Sequence, residues 1–321
     1  MLPRTIRRRI ERYTSARQRR DLAALLGDER ITLLDVGARG GAPLRWQRVA
    51  PHVDLITVDS DDASTLKSDF ASVYSVDAIL LDRRDDVAFH RTRNPKLSSV
   101  FKPSRALLSL FERPERADVV DTRILQTRTI DDLVESGLRR PTVVKLDTQG
   151  SELLILRGAD ATLQHVYAIE IEVEFRRLYE GQPLFGDVEQ YLGTLGFSLV
   201  DWTSTARWQR GTSGGLRSGL GELIGADALF LRLPEDLQLG HLAANELRRY
   251  LAVLYVYGRF ELIRHVLPQP SGRNLGASTI HDVELRCDDL ERRLRRSRRL
   301  ISSVNALGTL QQHPVTGHLE Y

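Results

Sequence analysis

Short apolar runs and 3.6-residue apolar stripes take turns along most of this chain. Residues 5–26 carry Ile6, Ile10, Tyr13, Leu22, Leu25 and Leu26 on an apolar side, which predicts a helix stopped at Gly27. Apolar runs at 31–36 and 53–58 predict two strands, followed by helices at about 43–50 and 61–70, and 73–81 predicts a third strand region. The rhythm breaks over 86–128. There, strand-like 87–91 and 124–127 flank a stretch rich in Ser, Pro and Arg, expected to be an insertion on the sheet that serves as a substrate-binding lid. Alternation resumes with a helix at 129–137, a strand at 142–147, a helix at 151–163 and a strand at 166–175. A helix at 189–195 and strands at 197–202 and 228–233 complete it. Strands alternating with helices predict a doubly wound α/β fold, its mostly parallel sheet covered on both faces.

Beyond Pro234 the pattern is wholly helical. Residues 245–266 place Leu247, Leu251, Leu254 and Tyr255 at helical spacing, 268–271 break the pattern, and 283–302 predict an Arg-rich helix. The expected organisation is a basic helix at 1–29, an α/β domain at 30–233 and a C-terminal helical extension at 234–321, an appended helical hairpin rather than part of the sheet.

Composition narrows the class. A chain of 321 residues with 41% hydrophobic and 28% charged residues suits a soluble globular protein. Its longest apolar runs, such as 251–257, fall far short of the roughly 20 residues of a membrane span. No apolar leader follows Met1-Leu2-Pro3, so no secretory signal is expected. Cys287 stands alone, which excludes an intrachain disulfide and a multi-cysteine metal site and fits the cytoplasm. The net charge is only +3, but arginines crowd both ends, from Arg4 to Arg20 and from Arg292 to Arg299. Such clusters can bind phosphate in nucleic acid or in the headgroups of a membrane surface. The expectation taken is solvated helix faces, because the chain has only Lys67, Lys96, Lys102 and Lys145 as lysines and arginine is its general cation.

Candidate chemistry collects at the carboxyl ends of the predicted strands, where doubly wound folds bind ligands. The first strand ends in Asp35-Val36-Gly37-Ala38-Arg39-Gly40-Gly41, a glycine turn that lets the backbone approach a ligand closely. It lacks the G-x-G-x-x-G of dinucleotide binding, and an acid before the first glycine suits a cofactor bearing an ammonium group. The second strand ends in Asp59, an acceptor for ribose hydroxyls, with Ser60, Asp61 and Asp62 left to cap the next helix. The fourth ends in Lys145-Leu146-Asp147-Thr148-Gln149-Gly150-Ser151-Glu152, where Lys145 and Asp147 share one face of a buried strand and must be paired or functional. The fifth alternates Glu170, Glu172 and Glu174 with Ile169, Ile171, Val173 and Phe175. That describes either a strand with one wet face or carboxylates converging on a cleft.

These segments, with Leu178-Tyr179-x-Gly181-Gln182 and the weaker 78–82 and 97–100, resemble the FkbM family of methyltransferases over about residues 30–205. The resemblance implies a class I methyltransferase fold, a seven-stranded sheet whose last strand is antiparallel. It also implies S-adenosylmethionine as methyl donor and O-methylation of a hydroxyl on a sugar, glycan or natural-product-like small molecule. Carried over by position, Asp35, Gly37, Ala38 and Gly41 line the methionine end, Asp59 holds the ribose and Ala78 borders the adenine. Asp147 and Glu172 face the transferred methyl, with Lys145 beside them. Arg39 stands where the family commonly has asparagine and is expected to pair with the cofactor carboxylate.

Asp147 is the first candidate for general base, Glu172 the second and His90 the third. Asp147 with Glu172 also suits a divalent cation, but no third ligand is evident and no metal is assigned. Two other functions compete. The arginine clusters favour a nucleic-acid methyltransferase, against which stands the lack of an Asn/Asp-Pro-Pro-Tyr/Phe segment. A non-catalytic S-adenosylmethionine-binding module is disfavoured by the intact 145–152 segment.

Overall fold

The computed structural model describes residues 4–38, 41–59, 69–211, 221–237, 239, 242–270, 272–275 and part of 280–292, with side chains from residue 15 onward. The expected helix near 61–70 and the Arg-rich helix at 283–302 therefore fall largely outside the described residues.

Seven strands build the central sheet: β1 (Ile31–Val36), β2 (Val53–Val58), β3 (Ser72–Val76), β7 (Val143–Leu146), β8 (Ala168–Glu174), β9 (Ser198–Trp208) and β10 (Glu222–Leu231). They lie in the order β3-β2-β1-β7-β8-β10-β9. β10, the last in sequence, runs antiparallel to both neighbours, and the other pairings are parallel. This is the seven-stranded, mostly parallel class I arrangement. A second, three-stranded sheet, β4-β6-β5, is formed by β4 (Ile79–Leu80), β5 (Asp86–Thr92) and β6 (Val119–Arg128). The expected strand at 73–81 thus splits, because the chain turns at Asp77 and Ala78 and leaves one sheet for the other.

β1, β2 and β7 place buried apolar residues on both faces of the sheet, as burial between two helical layers requires. On one face Ile31, Leu33, Leu55 and Val143 pack with Leu22, Leu25 and Leu26 of α1 (Arg4–Leu26) and Trp46 of α2 (Leu44–Arg48). Leu247, Leu251 and Leu254 of α8 (Ala244–Val256) join that same cluster, fully buried, each worth about 1.5–3 kcal/mol relative to exposure. Helix α8, beyond Pro234, thus packs over this face of the sheet. On the other face Leu34, Val36, Val144 and Ile169 meet α4 (Ile130–Glu135), α5 (Glu152–Arg157), α6 (Asp160–Leu163) and α7 (Phe185–Thr194).

Two expected helices are each divided. The one at 151–163 breaks between α5 and α6, where a Cβ on Gly158 would lie 2.2 Å from the Leu81 carbonyl oxygen. Asp131 then starts α6 anew by accepting hydrogen bonds from the Ala161 and Thr162 amides. The helix at 245–266 breaks between α8 and α9 (Phe260–Val266) at Gly258, whose φ is +70°. Arg259 N–H donates to the Leu254 carbonyl and Gly258 N–H to that of Tyr255, the paired bonds of a Schellman ending.

The 86–128 segment is stitched to the carboxyl end of the central sheet. Pro103 bridges to Tyr179 and Phe111 to Arg210, while Phe111 and Trp208 meet edge to face at 5.5 Å. Between β5 and β6 it also carries α3 (Arg105–Leu108).

Candidate active site

Strand register assembles the site. Asp35 of β1 pairs with Lys145 of β7, and Lys145 with Glu170 of β8, so three charged side chains form one row across the sheet. Glu172 lies opposite Asp227 of β10. Asp147 directly follows Leu146, whose partner is Ile171, and so borders Glu172 in a second row one step closer to the strand ends. The glutamate face of β8 is not a wet face. Glu170 and Glu174 are buried, and Glu170 accepts hydrogen bonds from Tyr257 and Thr203 and an ion pair from Arg45 at 3.2 Å.

Lys145 Nζ sits 3.4 Å from Asp35 and 3.5 Å from Asp147, and its side chain is only 14% exposed. Burial opposes its charge, but Asp35, Asp147, Asp227 and Glu170 outweigh burial and hold it protonated, above its ordinary range. Asp35 is 0% exposed, and burial pushes its carboxyl up to about 6 against the pull of Lys145. Both members of the pair are thus charged at neutral pH. Neither Asp35 oxygen has a well-aligned hydrogen bond among the described residues, so Lys145 is its counter-charge.

The turn after β7 has its own scaffold. Glu152 Oε1 accepts from the Thr148 amide at 2.6 Å and its hydroxyl at 3.0 Å, while Oε2 accepts from the Gly150 amide at 2.9 Å. Burial raises the Glu152 carboxyl to about 7, and these donors oppose the rise. Gln149, inside the turn, adopts a left-handed φ of +61°. Its Nε2 donates to Glu172 Oε2 at 2.6 Å and Asp147 Oδ1 at 3.2 Å. Burial, then Asp147, Glu174, Glu152 and Asp227, raise the Glu172 carboxyl well above the usual range.

A cleft of about 450 Å³ opens where these rows reach the strand ends. Gly37, Gly41, Asp59 and Ala78 line one part of it; Lys145, Asp147 and Glu172 line another. Phe89, Pro95, Lys96, Ser98 and Val100 of the 86–128 segment form a facing wall. Asp35 does not line the cleft but lies behind Lys145, Ala38 is not among the lining residues, and Arg39 lies outside the described residues. His90 is not in the lining either: it pairs through its backbone with Ser99 and through its ring with Thr122, and burial lowers its ring pKa.

Gly37 has a reason the motif alone does not reveal. Its φ is +76°, and a Cβ there would stand 1.9 Å from the Asp147 carbonyl oxygen. The close approach is between two strand ends of this chain.

Gln149, Arg45, Thr203, Ser204 and Asp227 also line the cleft, and no sequence pattern marks a role for them. Gln149 stood inside a motif already singled out; the others come from segments whose convergence depends on strand order. Among the described residues no group of three or more His, Cys, Asp or Glu is arranged to hold a metal ion. The lining has five carboxylates, Asp59, Asp147, Glu170, Glu172 and Asp227, against the three cations Arg45, Lys96 and Lys145. Such a lining favours a ligand carrying positive charge.

The family model described as methyltransferase FkbM domain matches residues 49–199, from just before β2 to the start of β9. No curated protein matches the chain. Among solved structures, a methyltransferase FkbM from Methylobacillus flagellatus KT shares 14% identity, with a TM-score of 0.35. The likeness covers 64% of this chain and 45% of that one, so this chain spans under half of that protein's length. A TehB-like SAM-dependent methyltransferase from Corynebacterium glutamicum ATCC 13032 Kitasato shares 14% identity over 66% of this chain and 86% of that one, with a TM-score of 0.28. The segment that matches the methyltransferase FkbM domain contains Asp59, Ala78, Lys145, Asp147 and Glu172 and leaves the Gly37–Gly41 turn outside it.

Proposed function

We propose that the chain is an S-adenosylmethionine-dependent O-methyltransferase of the cytoplasm, acting on a hydroxyl of a sugar, glycan or other small natural-product-like acceptor. The observation that carries this reading is the single cleft in which Gly37, Gly41, Asp59 and Ala78 face Asp147 and Glu172. The excess of carboxylates suits a donor that is a sulfonium and an ammonium at once. Of the lining residues, Gly37 and Gly41 would border its methionine end, Asp59 would accept from its ribose, and Ala78 would flank its adenine. When bound, the donor supplies an electrophilic methyl for in-line displacement by an oxygen nucleophile.

The chain's own task is to align that oxygen and take its proton. Holding the acceptor within about 3–3.5 Å of the methyl supplies much of the acceleration. A positioned base adds about 10²–10⁴-fold. Asp147 is assigned as that base: 39% of its side chain is open to the cleft, and Lys145 Nζ at 3.5 Å keeps it oriented. Burial and acidic neighbours raise the Glu172 carboxyl above the usual range, which leaves Asp147 the better placed of the two. Thr203, Ser204 and Asp227 offer hydrogen-bonding groups for a hydroxylated acceptor.

The test is methyl transfer from methyl-labelled S-adenosylmethionine to a panel of glycans, monosaccharides, small alcohols and RNA. The expected product is a labelled methyl ether on a sugar or alcohol. Label on RNA alone, or on nothing while the protein fails to bind S-adenosylhomocysteine, overturns the reading.

A further inference from the structure

Gln149 is a non-glycine residue in a left-handed conformation (φ +61°), almost fully buried, in the turn between β7 and α5. Such strain persists only where surrounding contacts enforce it. Here they are plain. Ser99 Oγ donates to the Gln149 carbonyl at 2.8 Å, and Tyr179 Oη donates to Gln149 Oε1 at 3.0 Å. The amide nitrogen lies between Glu172 Oε2 at 2.6 Å and Asp147 Oδ1 at 3.2 Å. Both amide hydrogens have acceptors, and the amide oxygen has a donor. A flipped amide would set its oxygen against two carboxylates, so only one orientation satisfies the network.

Tyr179 also reaches the Leu97 carbonyl at 3.2 Å, and Pro103 bridges to Tyr179 along the backbone. The 86–128 segment, through Ser99 on the Gln149 carbonyl, and the turn after β8, through Tyr179 on its amide oxygen, thus both hold Gln149. We propose that Gln149 is a positioning residue, oriented by Tyr179 and Ser99, that holds Asp147 and Glu172 in place and favours the ionised form of Asp147. This rests on the reading of Asp147 as the base. Hydrogen bonds donated to a carboxylate stabilise its charge, so the amide acts in the same direction as Lys145. It acts against Glu152, Glu174 and Asp227, whose charges disfavour ionisation of Glu172.

The test needs no acceptor and no cofactor. Side-chain carboxyl ¹³C signals of Asp147 and Glu172 are titrated by NMR in the wild type, in Gln149→Met and in Tyr179→Phe, with S-adenosylhomocysteine affinity measured in parallel. Gln149→Met keeps the length and removes both donors; Tyr179→Phe keeps the ring and frees the amide to turn. The expected result is a rise of about one pH unit in the lower apparent pKa of the pair in Gln149→Met, with a smaller rise in Tyr179→Phe. S-adenosylhomocysteine affinity stays within about threefold of wild type, since one hydrogen bond outside its subsite contributes little. Unchanged titration in both variants overturns the proposal. If Gln149→Met fails to fold, Tyr179→Phe decides alone: a rise supports the proposal and an unchanged curve overturns it. A wild-type protein that does not bind S-adenosylhomocysteine counts against the methyltransferase reading instead, and leaves the titration to judge Gln149.

Discussion

Asp147 has the most direct chemical task at the scale of single residues, and its neighbours separate catalysis from scaffolding. Asp35 already neutralises Lys145 from the buried side at 3.4 Å, so loss of the Asp147 charge leaves no unpaired buried cation. Asp147→Asn is therefore expected to fold, to bind S-adenosylhomocysteine as wild type does, and to transfer methyl at least about 100-fold more slowly. Near-normal turnover removes Asp147 from the chemistry and promotes Glu172; a collapsed Tm means that the carboxylate is scaffolding. Gly37 makes the opposite case. Its left-handed φ disfavours any side chain, and a Cβ 1.9 Å from the Asp147 carbonyl cannot fit without moving that strand end. Gly37→Ala should lower Tm by at least about 5 °C and abolish S-adenosylhomocysteine binding together. Binding that survives unchanged would show that the strand ends can part without disturbing the site.

The strand patterns were legible element by element. The 31–36 and 53–58 strands stand where the apolar runs place them, because a strand buried on both faces is written as an uninterrupted apolar run. The two divided helices show what pattern reading misses. Apolar spacing continues through Phe260 and Ile263, so the stop at Gly258 is outvoted in the sequence, whereas in the fold the backbone follows the glycine. Gly158 gives no local signal at all, since its constraint is the Leu81 carbonyl, distant in sequence. The site was legible where its residues share a motif, as Lys145 and Asp147 do. Arg45, Ser204 and Asp227 were not, because only the β7-β8-β10-β9 order brings them together. The place of Asp35 before the glycines does not reveal that strand pairing sets it behind Lys145.

For the whole molecule, buried carboxyls dominate the pH response. The Asp35 carboxyl is raised from 3.8 to about 6 and that of Glu152 from 4.5 to about 7, with Glu172 and Glu174 shifted the same way. The folded protein holds these protons more tightly than the unfolded chain does. Their stabilising effect is thus complete below about pH 4 and is lost as pH rises to about 7. Asp132 is shifted down to about 2 by Arg84, but the pair is solvent-screened and its loss falls below this window. Tm should therefore be higher at about pH 5.5 than at about pH 8; a Tm that rises with pH over this range contradicts the buried-carboxyl account.

The arginine-rich N-terminal helix also has internal partners, since Arg17 pairs with Asp289 and Arg19 donates to the Arg48 carbonyl at 2.9 Å. Duplex or single-stranded nucleic acid should accordingly show no salt-sensitive retention at physiological ionic strength. Tight binding that weakens steeply with salt would favour a nucleic-acid acceptor.

The central claim, that the cleft holds S-adenosylmethionine with its ribose on Asp59, is tested most directly by calorimetry with S-adenosylhomocysteine on wild type and Asp59→Ala. The account predicts one site per wild-type chain and a loss of about 1.5–3 kcal/mol in the variant, roughly 10-fold or more in Kd. No heat of binding from the wild type, or equal affinity in a folded Asp59→Ala, would contradict it.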